Sequence, residues 1–149
     1  MIKHLTVLCL VVILLSGCIT VSPKTSDKAV TEEERQWIYE NNNDYNEIKS
    51  IFHSANEADM RNDYESIQNF GVALTKVTDK SMQRSLNTTV SPGLKPAQRS
   101  WESCMRQLNS AGWELITYGN SYGDDTYKDR CLDLELEAAD CYSVYSEYL

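Results

Sequence analysis

Apolar and polar positions divide the chain into one continuous apolar run and four amphipathic stretches. The run extends from Leu5 to Leu15, broken only by Thr6, behind the positive start Met1-Ile2-Lys3-His4. It falls well short of the ~20 apolar residues that cross a bilayer and fits the apolar core of a signal peptide. Residues 19–30 read ITVSPKTSDKAV, polar and without periodicity, and are expected to form a flexible tether.

A first helix is predicted from Thr31. Thr31 and Glu34 stand at capping-box spacing, and Glu32, Glu33 and Glu34 complement the positive helix end. Trp37, Tyr45, Ile48, Phe52 and Ala55 then share one face. Asn41-Asn42-Asn43 is a point where the helix can break, because Asn side chains compete for backbone hydrogen bonds. Asn62-Asp63 is the preferred start of a second helix running to about Leu86; Ser54 with Glu57 offers an earlier one. Tyr64, Ile67, Gly71 and Leu74 form its stripe, with Phe70, Ala73 and Val77 beside it, wide enough for more than one neighbour. Residues 90–96, VSPGLKP, make the clearest break.

The third stretch carries the cleanest pattern: Ala97, Trp101, Cys104, Leu108, Ala111, Leu115 and Tyr118 alternate steps of four and three. After the polar turn Gly119 to Asp125, the last stretch repeats it with Tyr127, Cys131, Leu134, Ala138, Cys141, Tyr145 and Tyr148. Two such stripes joined by a short turn predict an antiparallel helical hairpin. A competing reading exists within 113–137. Trp113 to Tyr118 can form a strand after Gly112, and Leu132 to Glu137 alternates with period two, which together would make a β-hairpin. The helical stripes extend much further than the alternation, and Leu, Glu and Ala favour helix, so the helical reading is preferred. The expected fold is an all-α antiparallel bundle of three to four helices over 31–149. A cleaved leader at 1–17 and a tether at 18–30 precede it.

Charge narrows the range of partners. The chain has 22 acidic and 14 basic residues, a net charge of −8, and loss of Lys3 with the leader makes it −9. This balance argues against nucleic acid and an anionic membrane surface as the main ligand and fits solubility or a cationic partner. Basic residues gather between 76 and 106 and acids between 124 and 149, so neighbouring helices are expected to complement each other.

Candidate chemistry is sparse. His53 is the sole histidine after the leader and has no Cys or His partner at ligand spacing, so no metal site is expected. Asp124, Asp125, Asp129 and Asp133 lack the calcium-loop spacing and fit the start of a helix. No cofactor motif and no Ser/His/acid constellation is present, so an enzyme is not expected. Asn87-Thr88-Thr89 is a glycosylation sequon with Asn87 as candidate acceptor. Six tyrosines, Tyr118, Tyr122, Tyr127, Tyr142, Tyr145 and Tyr148, crowd the C-terminal region, and core packing explains four of them.

Cys104, Cys131 and Cys141 follow the leader and Cys18. With the hairpin turn centred near residue 122, Cys104 and Cys141 face one another, which predicts a disulfide between them and leaves Cys131 buried. The alternative is three reduced thiols packed as small apolar groups.

Three resemblances add to this. Leu15-Ser16-Gly17-Cys18 resembles the lipobox of prokaryotic lipoproteins: an aliphatic residue, two small residues and a cysteine. It implies cleavage before Cys18, lipidation of its thiol and anchorage on the extracytoplasmic side of a membrane. That membrane is the outer membrane in a diderm host and the cell membrane in an archaeon or monoderm. Val90, Ser91, Pro92, Leu94, Pro96, Trp101, Ala111 and Gly112 resemble a group of exported helical proteins of methanogenic archaea, which implies fold and export rather than an activity. Ala97-Gln98-Arg99-Ser100-Trp101 and Cys131-Leu132 look like positions of the LprI-like lysozyme inhibitors, although Cys104 comes early and Arg106 is displaced from that pattern. The expected function is a non-enzymatic binding or interaction module of the cell envelope, held by a lipid anchor and meeting an envelope protein. The alternative is an inhibitor of a cationic envelope enzyme such as lysozyme.

Overall fold

Capping chemistry sets the helix boundaries in the computed structural model, which describes residues 30–149. The leader, Cys18 and residues 19–29 of the tether lie outside the described residues. Helix α1 spans Glu32–Met60, α2 Tyr64–Asn87, α3 Lys95–Asn120 and α4 Asp125–Glu147, with a single 3-10 turn at Pro92–Leu94. Among the described residues there is no strand, so the period-two alternation in 132–137 is carried on a helix. No described helix is long and apolar enough to cross a membrane.

The capping box at the start of α1 closes in both directions. Thr31 N donates to Glu34 Oε2 at 2.7 Å and Glu34 N to Thr31 Oγ1 at 3.2 Å. Asp63 caps α2 through Ser66 N at 3.1 Å, as the Asn62-Asp63 reading predicts. Asp124 caps α4 through Thr126 N at 3.0 Å, which gives the acidic cluster its structural role. The start of α3 has no side-chain cap; Pro96 lies in its first turn, where a missing N–H costs nothing.

The four helices run up, down, up and down. α3 packs closely on both α2 and α4, and α1 lies on α2. Its predicted stripe is the core: Ala97, Trp101, Cys104, Leu108, Ala111, Leu115 and Tyr118 are all buried. Trp101 sits at the centre, its ring centroid 4.9 Å from that of Tyr145, and its Nε1 donates to Ser81 Oγ at 3.1 Å. Trp37 meets Tyr145 edge-on at 5.9 Å. Burying each such large side chain contributes roughly 1.5–3 kcal/mol.

Several expectations are corrected. α1 does not break at Asn41-Asn42-Asn43, because Asn41 is buried and its side chain bonds across to Arg84. Tyr148 is exposed rather than on the core stripe, since α4 ends just before it. Cys104 and Cys141 are free thiols, not a disulfide. The hairpin register is close to the predicted one, with Ser100 Oγ donating to the Cys141 carbonyl at 2.6 Å. The helix rotation differs, however. Cys141 Sγ meets Ser103 Oγ at 3.4 Å, while Cys104 points into the core. Cys131 is also free and buried.

Candidate functional site

A seam runs between α1 and α4, whose backbones make few close approaches. A cleft follows this seam. Ile48 and Phe52 of α1 form one wall, Leu136 and Ala138 of α4 the other, and Cys104 and Leu108 of α3 the floor. Its volume is about 30 Å³, enough for one or two water-sized groups. A latch closes the seam at each end. At one, Tyr45 and Tyr142 stack with centroids 3.7 Å apart and planes 5° from parallel. At the other, Asp59 accepts from Tyr118 Oη at 2.5 Å and from Lys128 Nζ at 2.5 Å.

Besides Tyr45 and Lys49, one carboxyl borders this apolar lining. Glu135 lies four residues after Cys131 and three before Ala138, so helical geometry turns it toward the seam. Its Oε1 takes only the Cys131 thiol at 3.6 Å, and its Oε2 is buried without a hydrogen-bond partner. Burial therefore pushes its carboxyl up to about 7, a rise only partly offset by the thiol. Burial also holds the Cys104 and Cys131 thiols well above their ordinary range, so both are protonated and unreactive at neutral pH. Lys49 stands at the rim with its Nζ 5.1 Å from the Tyr45 ring centroid.

The pattern of Leu132, Leu134 and Leu136 disguises Glu135 as one acid of an exposed alternation. Its spacing from Cys131 and Ala138 is the signal that marks it.

The other sequence candidates do not converge on the cleft. His53 is exposed beside Glu57 at 3.4 Å. Among the described residues no cluster of His, Cys, Asp and Glu has the arrangement of a metal site. Asn87 is exposed at the end of α2, with its amide donating to the Gln83 carbonyl at 2.9 Å. Tyr122 is 82% exposed at the turn, edge-on to Tyr64.

A second buried carboxyl behaves in the opposite way. Burial disfavours the charge of Glu34, but hydrogen bonds from Thr31 and Ser91, the latter at 2.6 Å, outweigh it and bring the group to about 2. The two groups bend the stability profile from opposite sides. Lowered in the fold, Glu34 stabilises fully above its unfolded value near 4.5 and loses this as pH falls toward 2. Raised in the fold, Glu135 favours the folded state fully below 4.5, and that advantage is lost as pH rises through 7. Stability is expected to peak near pH 5, with each limb on the order of 2 kcal/mol. Urea unfolding from pH 3 to 8 checks this: Glu34→Gln should flatten the acid limb and Glu135→Gln the neutral one.

No family model, curated protein or solved structure matches the chain.

Proposed function

We propose that this chain is a lipid-anchored, extracytoplasmic, non-enzymatic binding module whose site is the cleft between α1 and α4. The observation that carries the reading is an apolar cleft holding one buried carboxyl with an unpartnered oxygen. An apolar concavity with a few convergent polar groups is the usual form of a small-ligand site. The thiols beside it are held protonated, so they supply no nucleophile. The anchor reading rests on Leu15-Ser16-Gly17-Cys18 behind its apolar run. Two acyl chains hold a protein stably where one does not, and a diacylglyceryl cysteine supplies two.

Two measurements test this reading. The native chain is expected to incorporate an alkyne-tagged fatty acid and to remain in the membrane fraction. Cys18→Ser is expected to lose the label and the processing; persistence of the label would sink the anchor. Calorimetry of the detergent-solubilised full chain with n-hexanol, a neutral apolar probe, reads the cleft. Binding is expected in the native chain and at least tenfold weaker in Ala139→Phe, which fills the cleft, with Ala139→Leu used if the larger variant unfolds. Equal heats in the native and filled chains would remove the cleft as the site.

A further inference from the structure

We infer that the outer face shared by α2 and α3 docks on an anionic lipid surface, with Trp113 and Leu86 entering the headgroup layer and Lys76, Lys95, Arg99 and Arg106 meeting its phosphates. The inference rests on the preceding reading of Cys18 as a lipid anchor, which brings the bundle to a membrane without fixing the face it turns there.

Helical geometry defines the face. Lys95, Arg99, Arg106 and Trp113 are separated by four, seven and seven residues, so they follow one line along the outside of α3 for about 27 Å. All four are exposed, Trp113 at 60%. α2 runs beside this line. A Cβ on Gly112 would touch Thr75, and Asn109 donates to Asp79 Oδ1 at 2.9 Å, which sets the exposed Lys76 on the same side as Trp113. Leu86, 59% exposed, stands near Arg99, since Gln98 Nε2 reaches the Ser85 carbonyl at 2.6 Å.

The charge of this face runs against that of the whole chain. The chain carries −8, yet the face sets its four cations against two carboxylates, Asp79 and Glu102. Both carboxylates accept from neutral groups: Asp79 from Asn109, and Glu102 Oε1 from Ser85 Oγ at 3.3 Å. No ion pair among the described residues includes any of the four cations, and Lys95 Nζ donates to the neutral Gln98 Oε1 at 2.9 Å. The acids of α4 expected to complement them, Asp133, Glu137 and Asp140, are exposed and take no part in those pairs. The net charge therefore disfavours an anionic surface on average, while its segregation favours one in a single orientation.

The apolar groups favour lipid over an acidic protein. Trp113 and Leu86 lie toward opposite ends of the face, so they build no central apolar cluster of the kind that anchors a protein interface. A fluid headgroup layer takes separate insertions, and tryptophan with flanking Lys and Arg is the side-chain set that settles there. Position agrees as well. Ser91 N donates to Glu34 Oε1 at 2.6 Å, tying the Leu86 and Lys95 end of the face to the start of α1, fourteen residues after Cys18. An anchor at that end raises the effective concentration of the face at the membrane, so weak contacts suffice to orient the bundle.

The test uses the native full chain in vesicles of phosphatidylcholine, alone or with one third phosphatidylglycerol. Retention in the vesicles reads the anchor, and acrylamide quenching of tryptophan reads the face. Trp37 and Trp101 are 1% and 0% exposed, so the quenchable signal belongs to Trp113, and Trp113→Phe should remove it. Quenching is expected to fall at least about twofold when phosphatidylglycerol is present and to return in high salt. The triple variant Lys95→Gln, Arg99→Gln and Arg106→Gln should stay in the vesicles, keep its helicity and be quenched equally in both compositions. Arg61→Gln, which removes an exposed cation in the turn after α1, should behave as the native chain does. Equal quenching of the retained native chain in both compositions, or protection that survives the triple variant, would overturn the face while leaving the anchor. Loss of the native chain from phosphatidylcholine alone would overturn the anchor while supporting the face, and loss from both compositions would overturn both.

Discussion

Arg84→Met is expected to destabilise the bundle by about 3–5 kcal/mol, which is what breaking one side of a buried ion pair costs. Arg84 reaches from the last turn of α2 into α1. Its Nη2 bonds to Asn41 Oδ1 at 3.1 Å and Ser81 Oγ at 3.3 Å, and it pairs with Asp44. Its Nε lies 3.0 Å from Glu40 Oε2, close enough for an ion pair but not aligned as a hydrogen bond. The Asp44 side chain is only 7% exposed, so without the guanidinium it remains buried as an uncompensated anion. Asn41 would lose a partner as well, and its amide also faces Tyr145 Oη at 3.5 Å. The loss is therefore expected to reach across to α4. The double variant Arg84→Met with Asp44→Leu should recover most of it, because the cost lies in the stranded charge. Urea unfolding at pH 7 checks both variants. A double variant as unstable as the sum of the single ones would show that the two residues act independently.

The same residues show why the sequence discloses the helices more readily than their partners. Thr31 with Glu34, and Asp63 before α2, act within a few residues, so the pattern that predicts them contains the whole interaction. The heptad-like stripe of α3 is equally local, and all seven of its predicted members are buried. Arg84 and Asp44 are separated by 40 positions and come from different helices. Before the chain folds, Asn41 looks like part of a weak point of a helix and Asp44 carries no apolar signal. In the bundle they occupy the buried face because a cation arrives from α2. The cleft was hidden for a related reason. Glu135 is one of many acids in α4, and its orphaned oxygen exists only once the helices pack and bury it. Cys104 and Cys141 illustrate the angular limit of register arithmetic. Facing positions were close, yet a small rotation presents Ser103 to Cys141 instead. The polar stripe on α2 carries no apolar signal in the sequence. Thr75, Thr78, Ser81 and Ser85 are all buried, yet none is a large apolar residue.

That stripe of small residues sets the second large effect. Gly71→Ala is expected to cost about 2–3 kcal/mol despite the better helix propensity of Ala, which favours the substitution by ~1 kcal/mol. A Cβ at position 71 would lie 2.6 Å from the Gly112 carbonyl oxygen and 2.8 Å from Ile116 N, both backbone atoms of α3. Neither can swing aside as a flexible side chain would, so α2 and α3 must separate. Separation would strain the contacts spanning the same interface. Asn109 Nδ2 donates to Thr78 Oγ1 at 3.0 Å, Trp101 Nε1 to Ser81 Oγ at 3.1 Å, and Gln98 Nε2 to the Ser85 carbonyl at 2.6 Å. Buried groups left without these partners add their own cost. Gly119→Ala meets the other side of the interface, where its Cβ would stand 2.6 Å from the Tyr64 carbonyl oxygen. Because both variants push the same two helices apart, the double variant should lose less than the sum of the singles. Thermal and urea unfolding of the three variants provide the check. A stabilised Gly71→Ala would mean that α2 and α3 pack with more room than these distances allow. Gly93→Ala is the internal control: nothing lies within 4 Å of its Cβ position, so it should move stability by no more than about 0.5 kcal/mol.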